Sequence, residues 1–230
     1  MNAPLTTVIP LPAPVLLPIE GEAELFPVRR VYCVGRNYAD HAREMGGDPQ
    51  RELPFFFSKP ADAVVPSGWR LPYPLKTSDL HHEVELVVGL HQGGTNIHAA
   101  DTSSMIYGYA VGIDLTRRDL QAEAKKTGRP WDMAKGFDHS APIGALTRGL
   151  PPASGSISLT VDGNVRQHGD LKDMIWSVAE VIAALSTFVE LAPGDLIFTG
   201  TPAGVGAIRR GETVRGMIVG TEPIEITFEP

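Results

Sequence analysis

Three carboxylates stand where apolar chain would otherwise continue. Glu83 and Glu85 lie in His81-His82-Glu83-Val84-Glu85, directly ahead of the apolar run Leu86-Val87-Val88-Gly89-Leu90, and Asp114 closes the run Val111-Gly112-Ile113. A strand points alternate side chains to opposite faces, so Glu83 and Glu85 share one face and Val84 takes the other. A carboxylate entering a core is costly unless it meets a counter-charge or a bound cation. Three converging oxygen donors suit a hard divalent ion, Mg²⁺ or Mn²⁺, with positions left for water and substrate. The competing reading is a set of strand-end acids held by Arg or Lys.

Other residues have spacings that fit chemistry near such a site. His41 and Glu44 fall three apart on a short helical segment, where side chains are neighbours. A carboxylate can hold one imidazole nitrogen and leave the other as a general base, or the pair can simply stand in solvent. Asp114, Arg118 and Gln121 follow at steps of four and three, roughly one helix face. Lys135, within Met133-Ala134-Lys135-Gly136-Phe137, is either a snorkelling surface residue or a buried cation beside an anion. The loop Thr199-Gly200-Thr201-Pro202-Ala203-Gly204-Val205-Gly206 lacks the Gly-Lys-Ser/Thr ending of a phosphate-binding loop. Its backbone N–H groups, with Thr201, can still cradle a carboxylate, or it is a tight turn between strands. Cys33 sits in Val31-Tyr32-Cys33-Val34 and reads as core filler rather than a nucleophile.

These residues need elements to hold them. Residues 1–27 form a Pro-rich arm without periodicity, and the ordered domain, 28–230, begins near Val28. Val31 to Gly35 reads as a strand leading to Asn37, the expected N-cap of a helix that runs to Met45 and stops at Gly46-Gly47. Breaker-rich Gly46-Gly47-Asp48-Pro49 makes residues from Asn37 to Leu53 a candidate lid. Pro54-Phe55-Phe56-Phe57 reads as a buried strand. Thr116 is the expected cap of a second helix, ended by Gly128 and Pro130. Asp162-Gly163 between two short strands signals a type I′ hairpin, and Ser177-Val178-Ala179-Glu180 is a capping box ahead of an apolar helical stripe. The sum is a β-rich α+β domain without strict β-helix-β alternation.

Composition narrows the function classes. A chain of 230 residues with net charge −7 lacks the basic face of a nucleic-acid binder. One cysteine excludes an internal disulfide and a thiolate zinc cluster. No apolar stretch is long enough to span a bilayer, and the proline-broken N-terminus does not read as a signal peptide, so a cytoplasmic home is expected.

Five ordered motifs also resemble one family. They are Val34-Gly35-Arg36-Asn37-Tyr38-Ala39-Asp40-His41, His82-Glu83-Val84-Glu85, Gly108-Tyr109 through Asp114, Ala134-Lys135-Gly136-Phe137, and Gly194-Asp195 through Gly204. Together they are similar to the fumarylacetoacetate hydrolase family, from about Val28 to the C-terminus. Arg117 to Gln121 and Gly128 to Asp132 look most like its branch that cleaves fumarylpyruvate in gentisate breakdown. The resemblance implies a mixed β-roll and a homodimer. It implies Mg²⁺ or Mn²⁺ on Glu83, Glu85 and Asp114, and a His41–Glu44 pair on a lid. The implied reaction is hydrolysis of a carbon–carbon bond in a small 2,4-diketo acid. His41 would activate water and Lys135 would stabilise oxyanion charge. Arg36 and Gln121 would orient substrate or water, and Arg117 or Arg118 would meet the far carboxylate. Acylpyruvate hydrolysis, oxaloacetate decarboxylation and hydroxymuconate isomerisation are the rival reactions on the same residues.

Overall fold

The run Val84–Leu90 is buried along its whole length because both of its faces are covered. Val84, Leu86, Val88 and Leu90 point into a large core shared with Ile157, Leu159 and Ile226. Val87 points the other way, into a second core with Cys33, Ala110 and Phe198. The computed structural model describes residues 6–44 and 52–230, without the side chains of 42–44. The Glu44 carboxylate and the Gly46-Gly47-Asp48-Pro49 segment of the expected lid lie outside the described residues.

Val84–Leu90 sits within an eight-stranded mixed sheet. Its path runs Phe55–Lys59, Arg30–Gly35, Asp195–Phe198, Val84–Leu90, Ile106–Ile113, Ala141–Ile143, Val64–Pro66, and Thr147–Arg148 also pairs with Ile106–Ile113. Two of the pairings are parallel, Asp195–Phe198 with Arg30–Gly35 and Ala141–Ile143 with Val64–Pro66. A five-stranded sheet, from Asn164–Asp170 through Ser156–Val161, Thr213–Ile218 and Ile224–Phe228 to Arg70–Leu71, supplies the facing wall of the large core. The architecture is thus a β-rich α+β roll with a few short helices.

The acid-bearing chain changes sheets at the acids. Leu80–His82 belongs to a three-stranded sheet and Val84–Leu90 to the eight-stranded one, with Glu83 between them. Its partner does the same: Ile106–Ile113 ends, Asp114 and Leu115 intervene, and Thr116–Arg117 joins the smaller sheet. The antiparallel register nevertheless runs on unbroken. Val84 pairs with Ile113, Asp114 N–H donates to the Glu83 carbonyl at 2.8 Å, and His81 pairs with Thr116. Glu83 and Asp114 are therefore cross-strand neighbours, and Glu85 follows two residues on along the same face.

Several local expectations hold. The Asp162-Gly163 turn has positive φ at both residues, 47° and 77°, as a type I′ hairpin requires. Ser177 and Glu180 form the reciprocal capping box of the helix Val178–Leu185. Gly128, at φ 65°, ends the helix Arg118–Thr127. Cys33 is fully buried, and burial pushes its thiol pKa well above its ordinary value, which fits core filler.

Other details differ for identifiable reasons. Thr116 is a strand residue, and the helix begins after Arg117 without a side-chain cap. Asn37 is not an N-cap either. Its buried amide donates to the carbonyls of Trp176 and Thr199, 2.8 Å each, and its oxygen accepts from Trp176 N–H at 2.7 Å. Long-range backbone groups outcompete the local helix terminus for that side chain. The strand Phe55–Lys59 is present but only partly buried, because it forms a sheet edge beside a cavity. Ahead of Val28, Leu16–Pro18 pairs with Leu25–Pro27, and Leu17, Ile19 and Phe26 fill the second core. Strands of three residues are too short to show alternation in a Pro-rich stretch.

That packing makes a measurable claim. Phe26→Ala removes a ring that is 5% exposed and should lower the unfolding free energy by about 3–5 kcal/mol. Urea unfolding of the variant checks it; a loss below about 1 kcal/mol would show that the hairpin is not part of the core.

Candidate active site

Pairing across the ladder brings like charges together, and cations answer them. Carboxylate oxygens of Glu83, Glu85 and Asp114 lie within 4.8 Å of one another. Lys135, on the short helix Asp132–Lys135, donates to Glu83 at 2.8 Å, to Asp114 at 2.6 Å and to the Thr116 hydroxyl at 2.6 Å. Lys59, fully buried at the end of its strand, stands 2.8 Å from the other Asp114 oxygen as an ion pair off hydrogen-bond alignment. Its ammonium also donates to the carbonyls of Leu115 and Lys135. Arg118 closes on Glu83 and donates to the Gln121 amide oxygen at 2.7 Å.

Three acids thus face three cations, yet they are not evenly served. Burial opposes ionisation of Glu83, but Lys135 and Arg118 outweigh it and hold its carboxyl below the ordinary range. Burial likewise works against the Lys135 ammonium, and the charges of Asp114 and Glu83 outweigh it and raise its pKa. Glu85 is different. Among the described residues its recorded hydrogen bond comes from Gly200 N–H at 2.7 Å, with no directly paired cation. Burial, then Asp114, then Glu83, push its carboxyl well above the ordinary range. A buried carboxylate lacking its own cation, within reach of two more oxygen donors, fits a hard divalent ion. Glu83, Glu85 and Asp114 would hold it.

The loop after Asp195–Phe198 completes this wall. Gly200 has φ 97°, and a side chain there would meet Asn37 Cβ at 2.6 Å. Its N–H serves the protein's own Glu85, so that part of the expected anion cradle is already used. The next residue, Thr201, accepts from the Gln167 amide at 2.8 Å, which leaves its own O–H as a donor. Gln167 in turn accepts from Val84 N–H at 3.1 Å and contacts His82 Nδ1 at 2.8 Å, locking the loop to the acid-bearing strand.

One cavity collects most of the expected residues: Arg36, His41, Glu83, Glu85, Asp114, Arg118, Gln121, Lys135 and Thr201. His41 is 6% exposed there. Arg117 is outside it. Its guanidinium lies 4.3 Å from the centre of the Phe137 ring and donates to the Met133 carbonyl at 3.1 Å, because consecutive residues at the start of a helix diverge. In this metal-free arrangement Arg118 is bound to Glu83, and all three N–H donors of Lys135 are used on protein oxygens, those of Glu83, Asp114 and Thr116. Lys59, Lys125 and Gln167 were missed. Lys59 follows the apolar run Phe55-Phe56-Phe57 after a single serine, a setting close to the one that marks Lys135. Lys125 lies one turn beyond Gln121 on its helix. Gln167 gave no signal, since a Gln in a hairpin strand reads as a solvent-facing residue.

Comparison with known proteins matches this arrangement to a described group. The family model for the fumarylacetoacetate (FAA) hydrolase C-terminal domain covers residues 30–228. The chain is 40% identical to fumarylpyruvate hydrolase from Ralstonia sp over 185 residues, 80% of this chain and 96% of that one. It is 39% identical to the mitochondrial oxaloacetate tautomerase of Arabidopsis thaliana over 206 residues, 87% of this chain and 91% of that one. Among solved structures, fumarylpyruvate hydrolase from Pseudomonas aeruginosa in complex with Mn²⁺ and pyruvate superimposes with a TM-score of 0.95 at 52% identity, covering 97% of this chain and 99% of that one.

The uneven service of the acids gives a two-sided test. Glu85→Gln removes a carboxyl whose ionisation is opposed by burial and then by Asp114 and Glu83, so the metal-free variant should be more stable than the metal-free parent by about 1–2 kcal/mol and melt higher. It should also lose the rise in melting temperature that Mn²⁺ gives the parent. Thermal melts with and without Mn²⁺ check both halves; an undiminished Mn²⁺ response would remove Glu85 from the ligand set.

Proposed function

The chain belongs to the fumarylacetoacetate hydrolase family, and on that premise we propose that it hydrolyses a carbon–carbon bond of a 2,4-diketo acid, converting fumarylpyruvate and water to fumarate and pyruvate. The observation that carries the reading is one cavity in which a hard-cation donor set, a nearly buried imidazole and oriented neutral donors converge. The solved relative at 52% identity, which holds Mn²⁺ and pyruvate, supports both the metal and the pyruvyl end of the substrate.

A divalent ion on Glu83, Glu85 and Asp114 would supply Lewis-acid stabilisation to the 2-oxo acid end of the substrate. The chain's own residues do the rest. His41 takes a proton from water as that water attacks the C4 carbonyl. Gln121 has its amide oxygen held by Arg118, so its N–H₂ group remains to meet substrate oxygen. The Thr201 hydroxyl offers a second donor from the opposite loop. When the C3–C4 bond breaks, its electron pair stays with the pyruvyl fragment, and the His41 imidazolium returns the proton at C3. Lys135 bridges the Glu83 and Asp114 carboxylates by ion pairs, which keeps the donor set in place between turnovers.

Tautomerisation of oxaloacetate is the second reading, supported by the relative at 39% identity. It needs proton transfer at the same carbon but no attacking water. Steady-state assays of Mn²⁺-loaded protein separate the two: stoichiometric fumarate and pyruvate from fumarylpyruvate support hydrolysis, and keto–enol exchange of oxaloacetate without fumarylpyruvate cleavage replaces it. The base assignment is checked in the same assays. His41→Ala should lower hydrolysis by roughly 10²–10⁴-fold, while any oxaloacetate decarboxylation, which needs no attacking water, is lowered far less. Hydrolysis near the parent rate in a folded, metal-loaded variant would reject His41 as the base.

A further inference from the structure

The inner cations of the cavity are fully engaged, and two outer ones are not. Lys59, Lys135 and Arg118 are bound to the acids. Arg36 and Lys125 line the same cavity, and among the described residues neither has a carboxylate partner. Their recorded contacts are with rings: Lys125 Nζ is 5.3 Å from the centre of Trp131, and the Arg36 guanidinium is 5.9 Å from that of Phe55. Those two rings meet edge to face with centroids 5.5 Å apart, so one aromatic wall carries both cations.

The backbone places these groups deliberately. Arg36 adopts φ 57°, a left-handed conformation that is unfavourable for a residue with a side chain. Gly35 before it leaves room for the Phe55 ring, which would lie 2.0 Å from any Cβ there. On the helix Arg118–Thr127, the residues Arg118, Gln121 and Lys125 are spaced by three and then four, so they share a face. That face runs outward from Glu83, and Lys125 stands two turns, about 10 Å, beyond Arg118. Partial burial, then the charges of Arg118 and Arg36, lower the Lys125 pKa from its ordinary value, with Glu83 opposing.

The whole cavity, from the acids at its inner end to Arg36 and Lys125, is about 30 Å³, room for little more than a water. A seven-carbon diketo diacid seated there by its 2-oxo acid end must extend along this helix face to the rim. We propose that Lys125, aided by the field of Arg36, is the binding residue for the distal carboxylate, so that the site selects dicarboxylic over monocarboxylic 2-oxo acids. This rests on the hydrolysis reading for the identity of the substrate, but its test does not use turnover.

The probes are 2-oxoheptanedioate and 2-oxoheptanoate, which differ in the distal carboxylate and lack the 4-oxo group that hydrolysis requires. Calorimetric titration of the Mn²⁺-loaded parent should show the diacid bound about 5- to 10-fold more tightly, as one partly exposed charge pair allows. Lys125→Met should bring the two affinities together by weakening the diacid alone, and Lys125→Arg should retain the preference. A parent without preference, or a Lys125→Met variant that keeps it, overturns the proposal. Failure to cleave fumarylpyruvate with the diacid preference intact would fault the reaction and leave the subsite standing.

Discussion

Glu83 and Asp114 face each other across one antiparallel ladder, and like charges placed directly opposite destabilise a sheet. Everything around them answers that repulsion. Lys135 reaches both acids from a four-residue helix, and Lys59 reaches Asp114 from the edge strand. Because Lys59 also donates to the carbonyls of Leu115 and Lys135, the same ammonium ties strand, sheet switch and helix together. Removing one partner of such a buried pair typically costs about 3–5 kcal/mol, since it strands the other charge. The two lysines are therefore part of the frame that holds the acids together.

The sheet switch explains how acids reach a core without breaking it. Glu83 and Asp114 occupy the gap where the ladder leaves the eight-stranded sheet for the three-stranded one, so backbone pairing continues while the side chains reach the cavity. The loop opposite is held by side chains that bond backbone rather than solvent. Asn37 spans to Trp176 and Thr199, and Gln167 spans to Val84 and Pro202. Fully satisfied buried amides of this kind rigidify what they connect. Their consequence is chemical as well as mechanical: Gln167 fixes Thr201 as a donor, and Arg118 fixes Gln121 as one.

Charge balance then sets what the cavity attracts. Three acids against three inner cations are neutral, and a divalent ion on Glu85 and its neighbours leaves two positive charges in excess. A site of that sign, ringed by Arg36 and Lys125, favours anionic ligands even though the whole chain carries a charge of −7. Leaving Glu85 without its own cation costs stability in the metal-free protein and creates the demand that a metal meets, a trade often found at active sites.

Much of this was legible in the sequence because it is local. Alternation placed Glu83 and Glu85 on one face, the Asp-Gly turn set a hairpin, and Ser177 with Glu180 started a helix, each decided within a few residues. The apolar setting of Glu83, Glu85, Asp114 and Lys135 marked them as a cluster for the same reason: a charge in apolar sequence needs a partner. What the sequence could not decide is pairing. Whether Asp114 sits opposite Glu83 depends on the register of strands some thirty residues apart. Whether Asn37 caps a helix or holds Trp176 depends on a backbone 139 positions away. Which of Arg117 and Arg118 enters the cavity depends on where a helix begins, and Lys59 reaches Asp114 only because an edge strand ends beside it. Those choices belong to the tertiary structure, because buried polar groups take the partners that folding brings within reach, and sequence distance does not measure that reach.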